Sequence, residues 1–111
     1  MAAIYTTGTW LVSPEKQEAF IAAWGDFAAY ASSRPGSGGL MLTRDTKDEG
    51  RFVSMGAWES ADDSQAWKSS PEFSEQLARV LQNVDDFENT ELATLVTAEA
   101  GSSTSAAPVT A

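Results

Sequence analysis

Asp63 and Trp67 stand four residues apart, so one helical turn would bring a carboxylate and an indole to the same side of a helix. A carboxylate placed there could serve as a catalytic base. The structural alternative for Asp63 is a capping box. In Ser60-Ala61-Asp62-Asp63 the acid falls at the third helical position and can reach back to the cap. Trp24 is a second aromatic able to serve as a ligand platform, though its spacing from Phe20, Phe27 and Ala31 also suits a buried stripe. Other chemistries are missing. The chain has no cysteine and no histidine, which excludes disulfides, thiolate nucleophiles, His-ligated haem, His-containing zinc sites and Ser-His-Asp triads. The acidic pairs Asp62-Asp63 and Asp85-Asp86 read as solvated helix ends, and no metal site is assigned.

The elements that must position these residues follow from periodicity. A chain of 111 residues suffices for one core. Residues 3 to 12 form a strand, with Ile4, Thr6, Gly8, Trp10 and Val12 on one side and Tyr5, Thr7, Thr9 and Leu11 on the other. Ser13-Pro14-Glu15 starts a helix over about 14 to 32, in which the Ser13 hydroxyl caps the first turn and Gly25 is a mild cost. Arg34 to Gly39 reads as a connector, because its glycines precede a strand, whereas a phosphate loop precedes a helix. A hairpin follows, with strands over 40–45 and 51–59. Gly56 within the second marks a bulge or a close approach. Ser60 opens a helix and Ser70-Pro71-Glu72 restarts it. Phe73, Leu77, Val80, Leu81 and Val84 then make an apolar stripe, and a last strand covers about 87 to 98. Residues 99–111 read as a mobile, low-complexity tail after a domain spanning 1–98.

The order strand, helix, strand, strand, helix, strand is the ferredoxin-like βαββαβ arrangement, an α+β antiparallel sheet with helices on one face. The uncovered face carries either Trp10 or Leu11 and either Met55 or Trp58, too apolar for water, which predicts a homodimer packed sheet to sheet. Seven basic against sixteen acidic residues give a net charge of −9 without a basic cluster, which argues against a nucleic-acid partner. The chain shows neither a secretory signal nor a membrane span, so a cytoplasmic location is expected.

Several details resemble the antibiotic biosynthesis monooxygenase-like family of dimeric α/β barrels over roughly residues 1 to 98. They are the order of elements, Pro35-Gly36, the run ending Arg44-Asp45, Arg51-Phe52-Val53-Ser54, the Trp58-Glu59-Ser60 junction, and the spacing of Trp67, Ser70 and Phe73. In the haem-degrading branch a histidine follows four residues after the Phe. Leu77 stands there in this chain, so the axial ligand is missing. The branch acting on aldehyde-type signalling molecules also leans on histidine. The branch best matched is that of cofactor-free oxygenases, which use neither metal nor flavin to oxidise anthrone-like polycyclic phenols with O₂ in an apolar pocket. That resemblance implies Trp67 for stacking and N–H donation, Arg44 to offset phenolate charge, and Tyr5 or Asp63 to relay a proton. Trp24, Phe73, Leu77 and Met55 would line the pocket. An acid at Asp63 departs from the family, whose enzymes carry an amide-bearing residue near that position. Two alternatives share the scaffold: a non-catalytic module that binds a small hydrophobic ligand or partner, and a cyclase or isomerase.

Overall fold

The computed structural model describes residues 2–101. Strand β1 covers Ile4–Leu11, and a 3₁₀ turn at Pro14–Lys16 leads into α1, Gln17–Ser32. The hairpin strands are β2, Ser37–Arg44, and β3, Arg51–Trp58. Helices α2, Ala61–Lys68, and α3, Pro71–Leu81, precede β4, Asp86–Ala93. All neighbouring strands pair antiparallel in the order β2-β3-β1-β4, which makes the sheet ferredoxin-like.

The register decides which residues face the helices. Trp10 lies opposite Phe52 on one side and Phe87 on the other, and Gly8 lies between Ser54 and Asn89. Trp10, Phe52, Ser54 and Trp58 are buried beneath α1, α2 and α3 with Phe20, Trp24, Phe27, Trp67 and Val80. The sheet's other face presents Leu11, Met41, Met55 and Leu92, all exposed. Of the residue pairs left open by alternation, Trp10 and Trp58 therefore face the core and Leu11 and Met55 face outward. Trp58 stacks on Trp67 with ring centres 5.0 Å apart, and Trp10 stacks on Phe87 at 4.2 Å.

Local chemistry departs from the sequence-based expectation in three places. Ser13 makes no side-chain cap; its hydroxyl and backbone N–H both donate to Asp85, which also pairs with Lys16 at 2.9 Å. The turn before α1 is thereby tied to the start of β4, and Asp85 is a tether and not a solvated helix end. Second, the latter part of the glycine connector, Ser37 to Gly39, belongs to β2. The register slips between Ser37 and Leu40, and Gly39 takes φ +96°, a conformation glycine adopts without a Cβ penalty. Of the two readings of Gly56, the bulge is therefore not its own: the irregularity sits in the partner strand. Third, β4 ends at Ala93 and not near residue 98. Ala93 pairs with Ile4, the first residue of β1, and the ladder closes with the Thr94 N–H donating to the Ala3 carbonyl at 2.9 Å. The expected tail, 99–111, lies from residue 102 onward outside the described residues.

The other two caps form as the sequence implies. The Ser60 hydroxyl accepts from the Asp63 N–H at 3.1 Å, and Ser70 does the same for Phe73 at 3.3 Å. The Ser70 cap marks the break between α2 and α3 at which Trp67 and Phe73 turn toward each other. Their rings meet edge to face at 4.8 Å.

Candidate functional site

Between the sheet and the helices the packing leaves a cavity of about 50 Å³. Its floor is made by two strand glycines. A Cβ on Gly8 would sit 2.9 Å from both Ser54 Oγ and Trp10 Nε1, and one on Gly56 would sit 2.9 Å from Leu40 Cγ and Thr6 Oγ1. Both positions are closed to larger residues, and Gly56 is the close approach foreseen from the sequence. The walls come from Trp24 and Phe27 of α1, Trp67 of α2, and Phe73 and Leu77 of α3.

The polar groups in this apolar shell fall into two classes. Ser54 and Thr6 are occupied: Ser54 Oγ accepts from the Trp10 indole at 3.0 Å, and Thr6 Oγ1 accepts from the Trp58 indole at 3.3 Å. The indole N–H groups of Trp24 and Trp67 are buried and have no acceptor among the described residues. A buried donor left unpaired costs about 1–3 kcal/mol, so two around one cavity form an unfilled demand for acceptor atoms. Lys68 borders the same space. It is held by Glu91 at 3.3 Å, and Glu91 in turn accepts from the fully buried Ser64 hydroxyl at 2.9 Å. The Ser64 hydrogen bond and then the Lys68 ammonium draw the Glu91 carboxyl below its usual range against an opposing desolvation. This arrangement keeps bulk water out of a small apolar space and places around it two N–H donors and one cation, itself paired with Glu91, to which a developing anion could turn.

The residues singled out from sequence divide by location. Trp67, Trp24, Phe73 and Leu77 wall the cavity, and Met55 borders it although strand alternation turns its side chain to the open face. The other three lie elsewhere. Asp63 serves the α2 cap, its carboxylate accepting from the Ser60 hydroxyl at 2.9 Å. Tyr5 is on the sheet's open face, beside Met55 and Leu92. Arg44 ends β2, where its guanidinium lies 4.9 Å from the centre of the Phe52 ring and donates to Gln17 Oε1 at 3.2 Å. Sequence reasoning missed Gly8, Ser54 and Lys68. The glycine carried a readable signal, since β1 and β3 each hold one mid-strand glycine. Lys68 carried none, because its partner Glu91 is 23 residues away on an edge strand. Among the described residues no cluster of three or more acidic side chains is arranged for a metal ion, and no helix is long and apolar enough to cross a membrane.

Comparison with known proteins agrees with this architecture. The family model described as antibiotic biosynthesis monooxygenase matches residues 3–79. No curated protein matches the chain. Among solved structures, a mutant of SnoaB, a cofactor-independent oxygenase from Streptomyces nogalater, superposes with a TM-score of 0.79 at 16% identity, covering 87% of this chain and 97% of that one. A conserved protein from Methanosarcina mazei Go1 gives 0.79 at 16% identity, covering 86% and 95%. A protein provisionally named an antibiotic biosynthesis monooxygenase from Caulobacter crescentus CB15 gives 0.77 at 22% identity, covering 86% and 92%. At these identities the likeness speaks for the fold.

Proposed function

The chain belongs to the antibiotic biosynthesis monooxygenase family, and on that premise we propose that it is a cofactor-independent monooxygenase of an aromatic, polyketide-like phenol or anthrone. The observation that carries this reading is the pair of unpartnered, buried indole N–H groups of Trp24 and Trp67 around an apolar cavity. Such donors suit the oxygen of an enolate or phenolate. The SnoaB likeness supports the same reaction class.

The chemistry balances without an outside reductant. Loss of a proton from an activated CH₂ gives a carbanion conjugated with the phenolate. The carbanion passes one electron to O₂, the radical pair joins as a peroxide, and loss of water leaves a new carbonyl. One oxygen atom of O₂ enters the product and the other leaves as water, with all four electrons drawn from the substrate. The protein's part is to favour the anion and keep bulk water out. In this reading Trp67 stacks the ring and, with Trp24, donates to the oxyanion, while Lys68 balances its charge. Lys68 takes the part expected of Arg44, and the proton passes to solvent, because Asp63 and Tyr5 lie outside the cavity.

A cavity of about 50 Å³ admits O₂ or a few waters, whereas small-molecule sites usually measure about 300–1,000 Å³. Substrate entry therefore displaces Phe73 and Leu77, the half-buried side chains contributed by α3. The open sheet face, with Leu11, Met41, Met55 and Leu92 exposed, is proposed to pack against a second copy. Sedimentation at micromolar concentration reads this directly, and a monomer would contradict it.

The test of the reaction is oxygen uptake by purified, chelator-treated protein with dithranol against a no-protein control. Uptake above background with quinone formation supports the proposal. Binding without uptake, seen as tryptophan quenching, would replace it with a ligand-binding module or a cyclase.

A further inference from the structure

Trp24 also borders an open groove of about 330 Å³ that runs between α1 and the strands β2 and β3. Its surfaces are Ile21, Trp24 and Gly25 from the helix, and Leu42, Arg44 and Phe52 from the sheet. Three observations converge on it. The first is charge. Lys16, Arg51, Lys68 and Arg79 each pair with a carboxylate. Arg44, like Arg34 and Lys47, has no such partner among the described residues; what sets it apart is its place on the groove, where its contacts are the Gln17 amide and the Phe52 ring. On a chain of net charge −9, an arginine kept clear of carboxylates retains a guanidinium fork for an external anion. The second is Gly25. A glycine inside a helix costs about 1 kcal/mol relative to alanine. A Cβ there would meet nothing within 4 Å, so the protein's own packing does not require the glycine. What it does is keep the helix side of the groove open. The third is Trp24, which is 5% exposed and lines groove and cavity alike, so that the groove has an aromatic wall.

The groove is also the right size. Its volume falls within the range of small-molecule sites, about 300–1,000 Å³, where the cavity's does not. We propose that the α1–β2 groove is a binding site for an aromatic carboxylate of one or two rings. The rings lie against Ile21, Leu42 and Phe52, and the carboxylate takes the Arg44 fork in place of Gln17. The groove needs no oxygen chemistry to bind its ligand, so it stands or falls separately from the oxygenase reading.

The experiment is a calorimetric titration without turnover, using 2-naphthoate and its neutral isostere 2-naphthamide. The unaltered protein is expected to bind the naphthoate at least tenfold more tightly than the amide. Arg44→Gln removes that preference by weakening the naphthoate alone. Gly25→Leu retains Arg44 and places its side chain in open space. It weakens both compounds tenfold or more while the protein melts no lower than the unaltered one. Equal naphthoate affinity with and without Arg44, binding indifferent to Gly25→Leu, or no binding at millimolar concentration would each overturn the proposal.

Discussion

Trp67→Phe separates the two jobs assigned to this indole. The ring is 3% exposed and stacks on Trp58 at 5.0 Å, and a phenyl ring at the same position keeps most of that contact. The smaller ring leaves a void of roughly 40 Å³, which costs about 1 kcal/mol at ~24 cal/mol per Å³. Against this, the substitution removes an N–H that is buried without an acceptor and returns about 1–3 kcal/mol of desolvation penalty. The second term offsets the first or exceeds it by up to about 2 kcal/mol. At about 4–8 °C per kcal/mol for a domain of this size, the melting temperature should therefore stay level or rise by up to roughly 15 °C. Turnover should behave differently, because loss of one positioned donor to a developing oxyanion lowers kcat by about 10²–10³. Thermal melting followed by circular dichroism and oxygen uptake with dithranol measure the two quantities on the same sample. A variant that folds normally and oxidises at the original rate would refute the donor role and leave Trp67 as a packing residue only.

Gly8→Ala should destabilise by about 1–3 kcal/mol, read as a shifted urea midpoint, because the new methyl lies 2.9 Å from Ser54 Oγ and Trp10 Nε1. Ser60→Ala should cost about 1 kcal/mol through loss of the α2 cap to the Asp63 N–H, and Ser60→Asp, which retains an acceptor, should restore most of it in the same urea titration. Asp85 and Glu91 are both held below the usual carboxylate range, chiefly by the hydroxyls of Ser13 and Ser64. A depressed folded-state value favours the ionised form, so their stabilisation is complete above the ordinary carboxylate pKa of about 4 and is lost as pH falls through the lower folded values. Melting temperature should accordingly drop on acidification below about pH 4, and less steeply in Glu91→Gln.

Much of the architecture was legible because it is local. Apolar spacing in α1, the Ser60 and Ser70 caps, and alternation in β1 and β3 each act within a few residues. What escaped depends on pairing between distant segments. Alternation gave two faces for β1 but could not say which one the helices cover. That choice follows from Trp10 meeting both Phe52 and Phe87. Ser13 looked like a cap because Pro14 follows it, yet Asp85, 72 residues on, supplies a charged acceptor that competes for its hydroxyl. The aromatic walls of the site were readable from the helical stripe. Arg44 was drawn into the site by the likeness to the family, whereas the register places it at the end of β2, over Phe52. Lys68 was invisible, since only the fold brings Glu91 to it and to the buried Ser64 one helical turn before it.

The most direct test of the central reading is the fate of labelled dioxygen. Chelator-treated, flavin-free protein is supplied with dithranol under ¹⁸O₂, and the quinone is weighed by mass spectrometry while peroxide is assayed in the same vessel. Monooxygenation in this cavity predicts a product carrying one ¹⁸O atom, equimolar O₂ consumption and no hydrogen peroxide above the no-protein control. Unlabelled product with stoichiometric peroxide, or labelling no faster than without protein, would contradict it.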